Sequence, residues 1–199
     1  NAAMDIDGDG KSDLVSADNA NYTFSVTKNQ SSNGSISLGT TSNFATNSNP
    51  LYLCVGDIDG DAKPDVAVGC YGGGLSTIDI FRNTSTPGTV SFGTKVQIPS
   101  ILGPALVNLS DFDNDGKLDL VVGHSSGGVI SVYRNTSSKG FITFDNRLDL
   151  PALSDSYSVE CGDLNGDGKV DIVVGDRSAN NISIFQNNST IGSLSFLAA

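Results

Sequence analysis

Four short segments of the sequence concentrate carboxylates in a repeated pattern. They read DIDGDGKSD from Asp5, DIDGDAKPD from Asp57, DFDNDGKLD from Asp111 and DLNGDGKVD from Asp163. Together they hold 15 of the 22 acidic residues, although carboxylates placed this close repel one another. A bound cation would turn that repulsion into ligation, so the pattern predicts one metal site in each segment.

The spacing of the oxygen atoms indicates which metal these acidic loops would hold. In D-x-[DN]-x-D-G-x-x-D, positions 1, 3, 5 and 9 offer side-chain oxygens, and position 7 offers a backbone carbonyl. An all-oxygen set without His or Cys disfavours zinc and copper, and magnesium prefers a tighter octahedron, so we expect up to four Ca²⁺ ions. The predicted side-chain ligands are Asp5, Asp7, Asp9, Asp13, Asp57, Asp59, Asp61, Asp65, Asp111, Asp113, Asp115, Asp119, Asp163, Asn165, Asp167 and Asp171. The predicted carbonyl ligands belong to Lys11, Lys63, Lys117 and Lys169.

Position 6 of the loop is predicted to need a left-handed backbone, which glycine adopts without strain. It is glycine in three loops, but Ala62 occupies it in the second, where we expect a strained or weaker site. An EF-hand is excluded because it needs a Glu at position 12 and flanking helices, whereas position 12 is Ser or Val and the flanks are strand-like. Metal-free acidic turns are the alternative, and four copies in register oppose it.

The loops belong to a longer internal repeat. Their leading aspartates are 52, 54 and 52 residues apart, and each unit contains four short β-rich runs separated by Gly, Asn, Asp and Ser. The third run ends at Asn29, Asn83, Asn135 and Asn187, and the fourth is marked by Leu38, Phe92, Phe144 and Phe196. This period predicts an all-β fold, a single β-propeller region over 1–199 with four-stranded antiparallel blades. The approximate repeats are 1–46, 47–100, 101–152 and 153–199.

The same spacing predicts an incomplete first blade. From each fourth-run landmark to the next leading aspartate is 19 residues, but joining the C-terminus to the N-terminus gives only 8. We therefore expect the first blade to lack most of its strand 1. The four blades would then be part of a larger propeller, or would be completed by another polypeptide or by self-association.

Composition excludes several classes of function. The net charge of −11 argues against nucleic acid as a partner, and four divalent cations would neutralise eight of these charges. No apolar run is long enough to span a membrane. Cys54, Cys70 and Cys161 are too few for a disulfide framework, and free thiols are expected. The single histidine, His124, has no catalytic partner nearby in sequence, so we expect a non-enzymatic protein.

A family resemblance rests on the segments VGDIDGDAKPDVAVG and CGDLNGDGKVDIVVG. They resemble the FG-GAP repeats of integrin α-subunit propellers, and more closely the related bacterial VCBS-type repeats, whose units end like VSFGTKV. The chain departs from that pattern at Ala62, in its short first strand and in a weak GAP element. The resemblance implies structural calcium in the hairpin between strands 1 and 2, on the propeller face opposite most ligand contacts.

These observations favour a secreted or cell-surface binding or adhesion module that recognises a glycan or a protein. Extracellular calcium modules bind with Kd of about 10⁻⁴–10⁻³ M, which suits calcium outside the cell. Two alternatives stay open: an accessory or scaffold segment of a secreted, carbohydrate-active enzyme, and an architectural surface or filament protein. The turns between strands 2 and 3 would form the contact face together with the connections from strand 4 to the next strand 1. Tyr71, His124, Asp176 and Arg177, in the 2–3 turns, are the candidates. The sequons at Asn83, Asn135 and Asn187 are expected to be turn residues and not glycan carriers.

Overall fold

Runs rich in Val, Ile and Phe, separated by Gly, Asn and Asp, fold into short strands throughout the chain. The computed structural model describes residues 1–72, 76–152, 156–176 and 180–198. Within these ranges there are sixteen β-strands and no helix, and so no helix that could cross a membrane. The all-β prediction is confirmed.

The strands form four four-stranded sheets, each an antiparallel meander in chain order. Blade 1 contains β1 (Ala2–Met4), β2 (Asp13–Asp18), β3 (Thr23–Asn29) and β4 (Leu38–Ala45). Blade 2 contains β5 (Asn49–Gly56), β6 (Asp65–Tyr71), β7 (Thr77–Phe81) and β8 (Val96–Pro99). Blade 3 contains β9 (Pro104–Ser110), β10 (Asp119–His124), β11 (Val129–Tyr133) and β12 (Leu148–Pro151). Blade 4 contains β13 (Ser156–Gly162), β14 (Asp171–Asp176), β15 (Asn181–Asn187) and β16 (Phe196–Ala198).

Three apolar clusters pack the blades face to face. In the first cluster Phe24 of blade 1 packs with Phe81 of blade 2. The second cluster contains Ile80 of blade 2 and Leu120 of blade 3. The third contains Val132 of blade 3 and Ile172 of blade 4. Strand β5 contacts β9, and β9 contacts β13, so the first strands lie towards a common centre and the fourth strands at the rim. This arrangement is a β-propeller, as the repeat predicts.

The first blade has a short inner strand. Strand β1 has three residues, which pair with β2 from Ala2↔Val15 to Met4↔Asp13. The inner strands β5, β9 and β13 have eight, seven and seven residues. The acidic loops therefore connect strands 1 and 2 in all four blades, and the loop of the first blade follows the shortest inner strand.

The predicted position of strand 4 is wrong in blades 2 and 3. Phe92 and Phe144 form only isolated bridges to Asn83 and Asn135, and the fourth strands begin later, at Val96 and Leu148. In blades 1 and 4 the landmarks Leu38 and Phe196 do begin β4 and β16. The bridge closes a small hairpin after strand 3, and the chain must then pass a short irregular segment before it pairs with strand 3 again.

Candidate metal centres

The local turn of each acidic loop is built by its first aspartate. Asp5 accepts hydrogen bonds from the backbone N–H groups of Asp9 (3.1 Å) and Gly10 (2.8 Å). Asp57, Asp111 and Asp163 accept the equivalent pair in their own loops. The sixth residue has a positive φ in every loop, 89° at Gly10 and 70° at Ala62. The expected strain at Ala62 is therefore present, since a side chain disfavours this left-handed backbone.

The ninth residue of each loop anchors it to the sheet. Asp119 is fully buried, and its two oxygens accept the N–H groups of Phe112 (2.9 Å) and Asn135 (2.8 Å). Burial raises the pKa of Asp119 to about 6, and it does the same for Asp65, against the lowering effect of these hydrogen bonds. Asp13, Asp65 and Asp171 make the same pair of bonds. Each position-9 carboxylate thus ties its loop to the end of strand 3.

Three carboxylates converge in each of the first three loops. One oxygen from each residue lies within 4.8 Å of the other two. The groups are Asp5, Asp7 and Asp13; Asp57, Asp59 and Asp61; and Asp111, Asp113 and Asp115. In the fourth loop an amide, Asn165, occupies position 3, and its Nδ2 donates to Asp167 (3.0 Å). Clustered carboxylate oxygens without soft ligands fit a hard divalent cation such as Ca²⁺, while the full ligand sets stay predictions.

A basic side chain at the end of strand 3 faces the acidic loop in blades 1, 2 and 3. Arg134 donates to Asp113 and Asp115, each at 2.6 Å, and Arg82 pairs in the same way with Asp59 and Asp61. Burial acts to raise the pKa of Asp113, but Arg134 and nearby N–H groups hold it below its ordinary value. In blade 4 the equivalent residue is Gln186. The guanidinium therefore compensates part of the carboxylate charge in two loops.

Blade 1 carries Lys28 at this position, and its pairing is weaker. Its Nζ lies 3.2 Å from Asp7 Oδ2, an ion-pair distance, and also donates to the carbonyl of Gly88 in blade 2. Asp7 Oδ2 is nevertheless buried and accepts no hydrogen bond of good geometry in the described residues. A buried carboxylate oxygen whose polar neighbour is a single ammonium group still has lone pairs with which to bind a metal ion.

Two of the lysines that are predicted to bind metal through their backbone carbonyls direct their ammonium groups away from the carboxylates. Lys63 Nζ donates to the carbonyl of Ser85 (2.7 Å), and Lys169 Nζ to that of Ser189 (2.8 Å). These lysines therefore extend toward the hairpin after strand 3 of their own blade. This placement agrees with a role for their backbone only.

The acidic loops also lie at the junctions between blades. Asn135 of blade 3 donates through Nδ2 to the carbonyl of Ile58, in the loop of blade 2, at 2.8 Å, and to the carbonyl of Leu118 in its own loop. Asn83 and Asn187 make the same two kinds of bond, to the loops of blades 1 and 2 and of blades 3 and 4. Each of these asparagines thus joins two successive acidic loops.

The small hairpin of the following blade reaches the same loops. The N–H of Gly140 in blade 3 donates to Asp59 (2.9 Å), and that of Gly192 in blade 4 donates to Asp113 (2.8 Å). Sequence reasoning missed this cross-blade role and the arginine contacts. The signal was available as the pairs Lys28-Asn29, Arg82-Asn83 and Arg134-Asn135, which recur in blades 1, 2 and 3.

The sequon asparagines at the end of strand 3 in blades 2, 3 and 4 are buried structural residues. Asn83, Asn135 and Asn187 are 0, 0 and 2% exposed, and their Nδ2 atoms are used in the bonds described above. Glycan attachment at Nδ2 would break these bonds, so the expectation that they are turn residues agrees with their burial.

Some residues predicted to lie on the contact face are buried in the structure. His124 is fully buried, so its assignment as a contact residue is wrong; burial lowers its pKa to about 4. Asp176 is 5% exposed, so its assignment as a contact residue is also wrong. Tyr71 is 45% exposed, and Arg177 lies outside the described residues. The histidine joins a hydrogen-bonded chain in which Ser131 lies 2.9 Å from His124 Nε2 and donates to Asp149 (2.7 Å). This serine gives its proton to the aspartate, so the histidine is not placed as its base.

The cysteines are free thiols in strands. Cys54 and Cys161 are half-buried, in the inner strands β5 and β13, and Cys70 is buried in β6. Burial raises the pKa of Cys54 to about 12 and that of Cys70 to about 11. Such thiols are poor nucleophiles and poor metal ligands at neutral pH, so they add nothing to the acidic sites.

Comparison with known proteins gives the family. A similar solved structure is the crystal structure of BBS1N in complex with ARL6DN, soaked with lead, at 18% identity and a TM-score of 0.55. The alignment covers 99% of this chain and 55% of that chain, so this chain spans about half its length. No curated protein matches the chain. The FG-GAP-like repeat profile matches residues 5–68 and 111–174. Because these ranges span more than half of the sequence and include all four acidic loops, the chain belongs to the FG-GAP-like repeat family.

Proposed function

We propose that this propeller is a calcium-stabilised extracellular binding module, secreted or at the cell surface, which recognises a glycan or a protein without catalysing a reaction. The observation that carries the proposal is the convergence of three carboxylates in each of three loops, at junctions between blades. A metal-dependent scaffold of this kind needs a compartment in which calcium is abundant. The propeller then serves to present surfaces, as a binding or scaffold fold does.

Calcium would supply positive charge at the centre of each carboxylate group, held by the predicted ligands. The chain's own residues do the rest. The first aspartate shapes the turn, the ninth fixes it to strand 3, and the asparagine at the end of strand 3 fastens it to the preceding blade. Neutralising the carboxylates would therefore tighten both the hairpin and the junction between blades.

The choice of partner is supported by fold and charge. BBS1N, whose chain has a similar fold, was crystallised in complex with another protein, ARL6DN, and at 18% identity this supports only the ability of the fold to bind proteins. The net charge of −11 disfavours nucleic acid and does not disfavour a neutral glycan or a protein. A glycan or protein ligand is thus the proposal that fits both observations.

Thermal unfolding with calcium and with a chelator tests this function. Calcium that binds only the folded chain should add about 2.7 kcal/mol per site at a hundredfold excess over Kd, and the melting temperature should fall on chelation. Asp111→Asn should remove one ion from the stoichiometry measured by calorimetry. Glu160→Gln is the matched control, because it removes one exposed charge on β13 that belongs to none of the nine-residue loops. A melting temperature that does not respond to calcium would refute the proposal.

A second role, architectural, is favoured by the outer face of blade 4. Ile182 is 59% exposed, whereas its equivalents Ile78 and Ile130 are fully buried against the next blade. Leu164 is 55% exposed, although Ile58 and Phe112 at the same loop position are 1% exposed. This apolar face fits a further blade of the same repeat.

In the isolated chain the architectural role predicts concentration-dependent self-association through blade 4. Sedimentation equilibrium would detect it, and Ile182→Glu should abolish it. A chain that stays monomeric at high concentration would contradict this role and would leave the binding module as the function.

A further inference from the structure

A groove of about 640 Å³ opens at the rim between blades 2 and 3. One wall is β8 with the side chains of Val96, Ile98 and Pro99, and the other is the segment 142–149 of blade 3. It is separate from the acidic loops and contains none of the predicted metal ligands. We call it the rim groove.

The junction between blades 1 and 2 shows why this space is left open. There Phe44 of β4 stacks on Phe24 with ring centroids 5.1 Å apart, and Phe92 packs against both rings. In the next junction the residue that occupies the place of Phe44 is Ile98, and Phe24 is replaced by Ile78. Two smaller side chains stand where two rings close the first junction, so the rim groove exists because of specific residues and not because of the fold.

Tyr133 in the rim groove carries a hydroxyl that the packing does not require. Tyr133 is 4% exposed, lines the groove, and its hydroxyl is buried without a hydrogen-bond partner in the described residues. The equivalent residues Phe81 and Phe185 are also buried and have no hydroxyl. A buried polar atom without a partner is costly, so this hydroxyl points to a ligand atom that completes it.

The polar side chains around the rim indicate the chemistry of that ligand. Thr143, Asp145 and Asn146 are exposed on the wall formed by segment 142–149, and Arg147 pairs with Asp149 at 2.9 Å on the same wall. Arg134 Nη1 lies 3.6 Å from Asp145. Asp149 is thus paired within the rim, whereas Arg134 is shared between Asp145 and two carboxylates of the acidic loop. The rim offers hydrogen-bond donors and acceptors side by side.

We propose that the rim groove binds a neutral sugar unit, whose C–H face packs against Ile98 and Phe144 and whose hydroxyls bond to Tyr133, Asn146 and the Arg147–Asp149 pair. A neutral polyol needs donors and acceptors side by side next to an apolar wall, and the groove provides both. This inference rests on the binding function proposed above. It adds a site and a ligand class.

NMR titration of the isotope-labelled, calcium-loaded chain with neutral monosaccharides tests the inference. Glucose, galactose, mannose and N-acetylglucosamine would be the probes, as free sugars and as the ends of short oligosaccharides. We expect shifts confined to the backbone of β8, of Tyr133 and of segment 142–149. Tyr133→Phe should weaken binding about tenfold, the worth of one hydrogen bond in a desolvated site. The variant should fold, because Phe81 and Phe185 already occupy that position in other blades.

Tyr71→Phe is the matched control, since Tyr71 is exposed and lies away from this groove, and it should bind like the original chain. No shift with any probe, or sugar binding that Tyr133→Phe leaves unchanged, would overturn the inference. Selective binding of a peptide in the groove would overturn the ligand class. If calcium still raises the melting temperature in any of these cases, the proposed calcium-stabilised module survives and only the sugar site fails.

Discussion

The acidic loops of blades 3 and 4 have the same local turn and different surroundings. In both, the first aspartate accepts the N–H groups of positions 5 and 6, and the ninth accepts those of position 2 and of the asparagine after strand 3. The loop of blade 3, however, lies under blade 4. Phe112 is 1% exposed there, whereas the equivalent Leu164 of blade 4 is 55% exposed.

Two kinds of interaction therefore act on loops 1, 2 and 3, and only the first of them acts on loop 4. The nine-residue pattern specifies the turn without help from neighbours, because loop 4 forms it at an open face. The next blade then adds apolar burial, an asparagine bond to the loop carbonyl and a glycine N–H to the aspartate at position 3. Loops 1, 2 and 3 should therefore couple calcium binding to blade packing, and loop 4 should bind calcium by itself.

The largest expected effect comes from removing the apolar side chain at loop position 2. Phe112→Ala should destabilise the chain by about 3–5 kcal/mol, because it leaves a cavity between blades 3 and 4. Leu164→Ala should cost less than about 0.5 kcal/mol, since that side chain is exposed. Urea unfolding of both variants measures the difference. Equal losses would show that Leu164 is covered by another surface in solution.

The asparagine after strand 3 gives the next effect. Asn135→Ala should cost about 2–4 kcal/mol, because it leaves the buried carbonyls of Ile58 and Leu118 and the N–H of Ser137 without partners. Asn29→Ala should cost about 1 kcal/mol, since Asn29 donates only to Ser12 in its own loop and accepts the N–H of Ser31, with no bond to another blade in the described residues. Unfolding free energies in calcium would report both. If Asn29→Ala lowers the free energy of unfolding as much as Asn135→Ala does, the cross-blade bond does not contribute to stability.

Arg134→Gln makes the loop of blade 3 similar to that of blade 4, where Gln186 occupies the same position. Without calcium, the loss of the guanidinium from two largely buried carboxylates should cost about 1.5–3 kcal/mol. With calcium, the ion compensates the same charge, so the loss should be smaller. Melting curves with calcium and with chelator give the two values, and Arg147→Gln is the control because Arg147 lies outside the loops. A cost that is the same in both conditions would mean that the arginine and the metal site act independently.

The repeat period predicted the sheets, the order of strands and the turn at every loop, because these depend on spacing and on short-range hydrogen bonds. It did not predict which asparagine bond crosses to the preceding blade, since that depends on the packing of residues about 75 positions apart, such as Asn187 and Phe112. Strand 4 was misplaced in two blades because Phe92 and Phe144 are apolar and strand-like, yet each pairs by only one bridge. His124 was misplaced because a histidine next to Ser and Gly is usual in an exposed turn.

The smallest effect concerns position 6, where the backbone of Ala62 and that of Gly116 have φ values of 70° and 85°. A left-handed backbone costs an alanine about 1 kcal/mol relative to glycine, so Ala62→Gly should stabilise the chain by up to that amount and Gly116→Ala should destabilise it similarly. A Cβ added at Gly116 meets no atom within 4 Å, so the change tests backbone strain and not packing.

Calcium affinity should change in the same direction as stability. Ala62→Gly should raise the affinity of loop 2, and Gly116→Ala should lower that of loop 3. Calorimetric titration of the single and the double variants would measure this. Because both residues belong to loops covered by a following blade, opposite and additive changes would show that the local turn contributes independently of the blade contacts, whereas unchanged affinities would mean that the neighbouring blade alone holds the loop in shape.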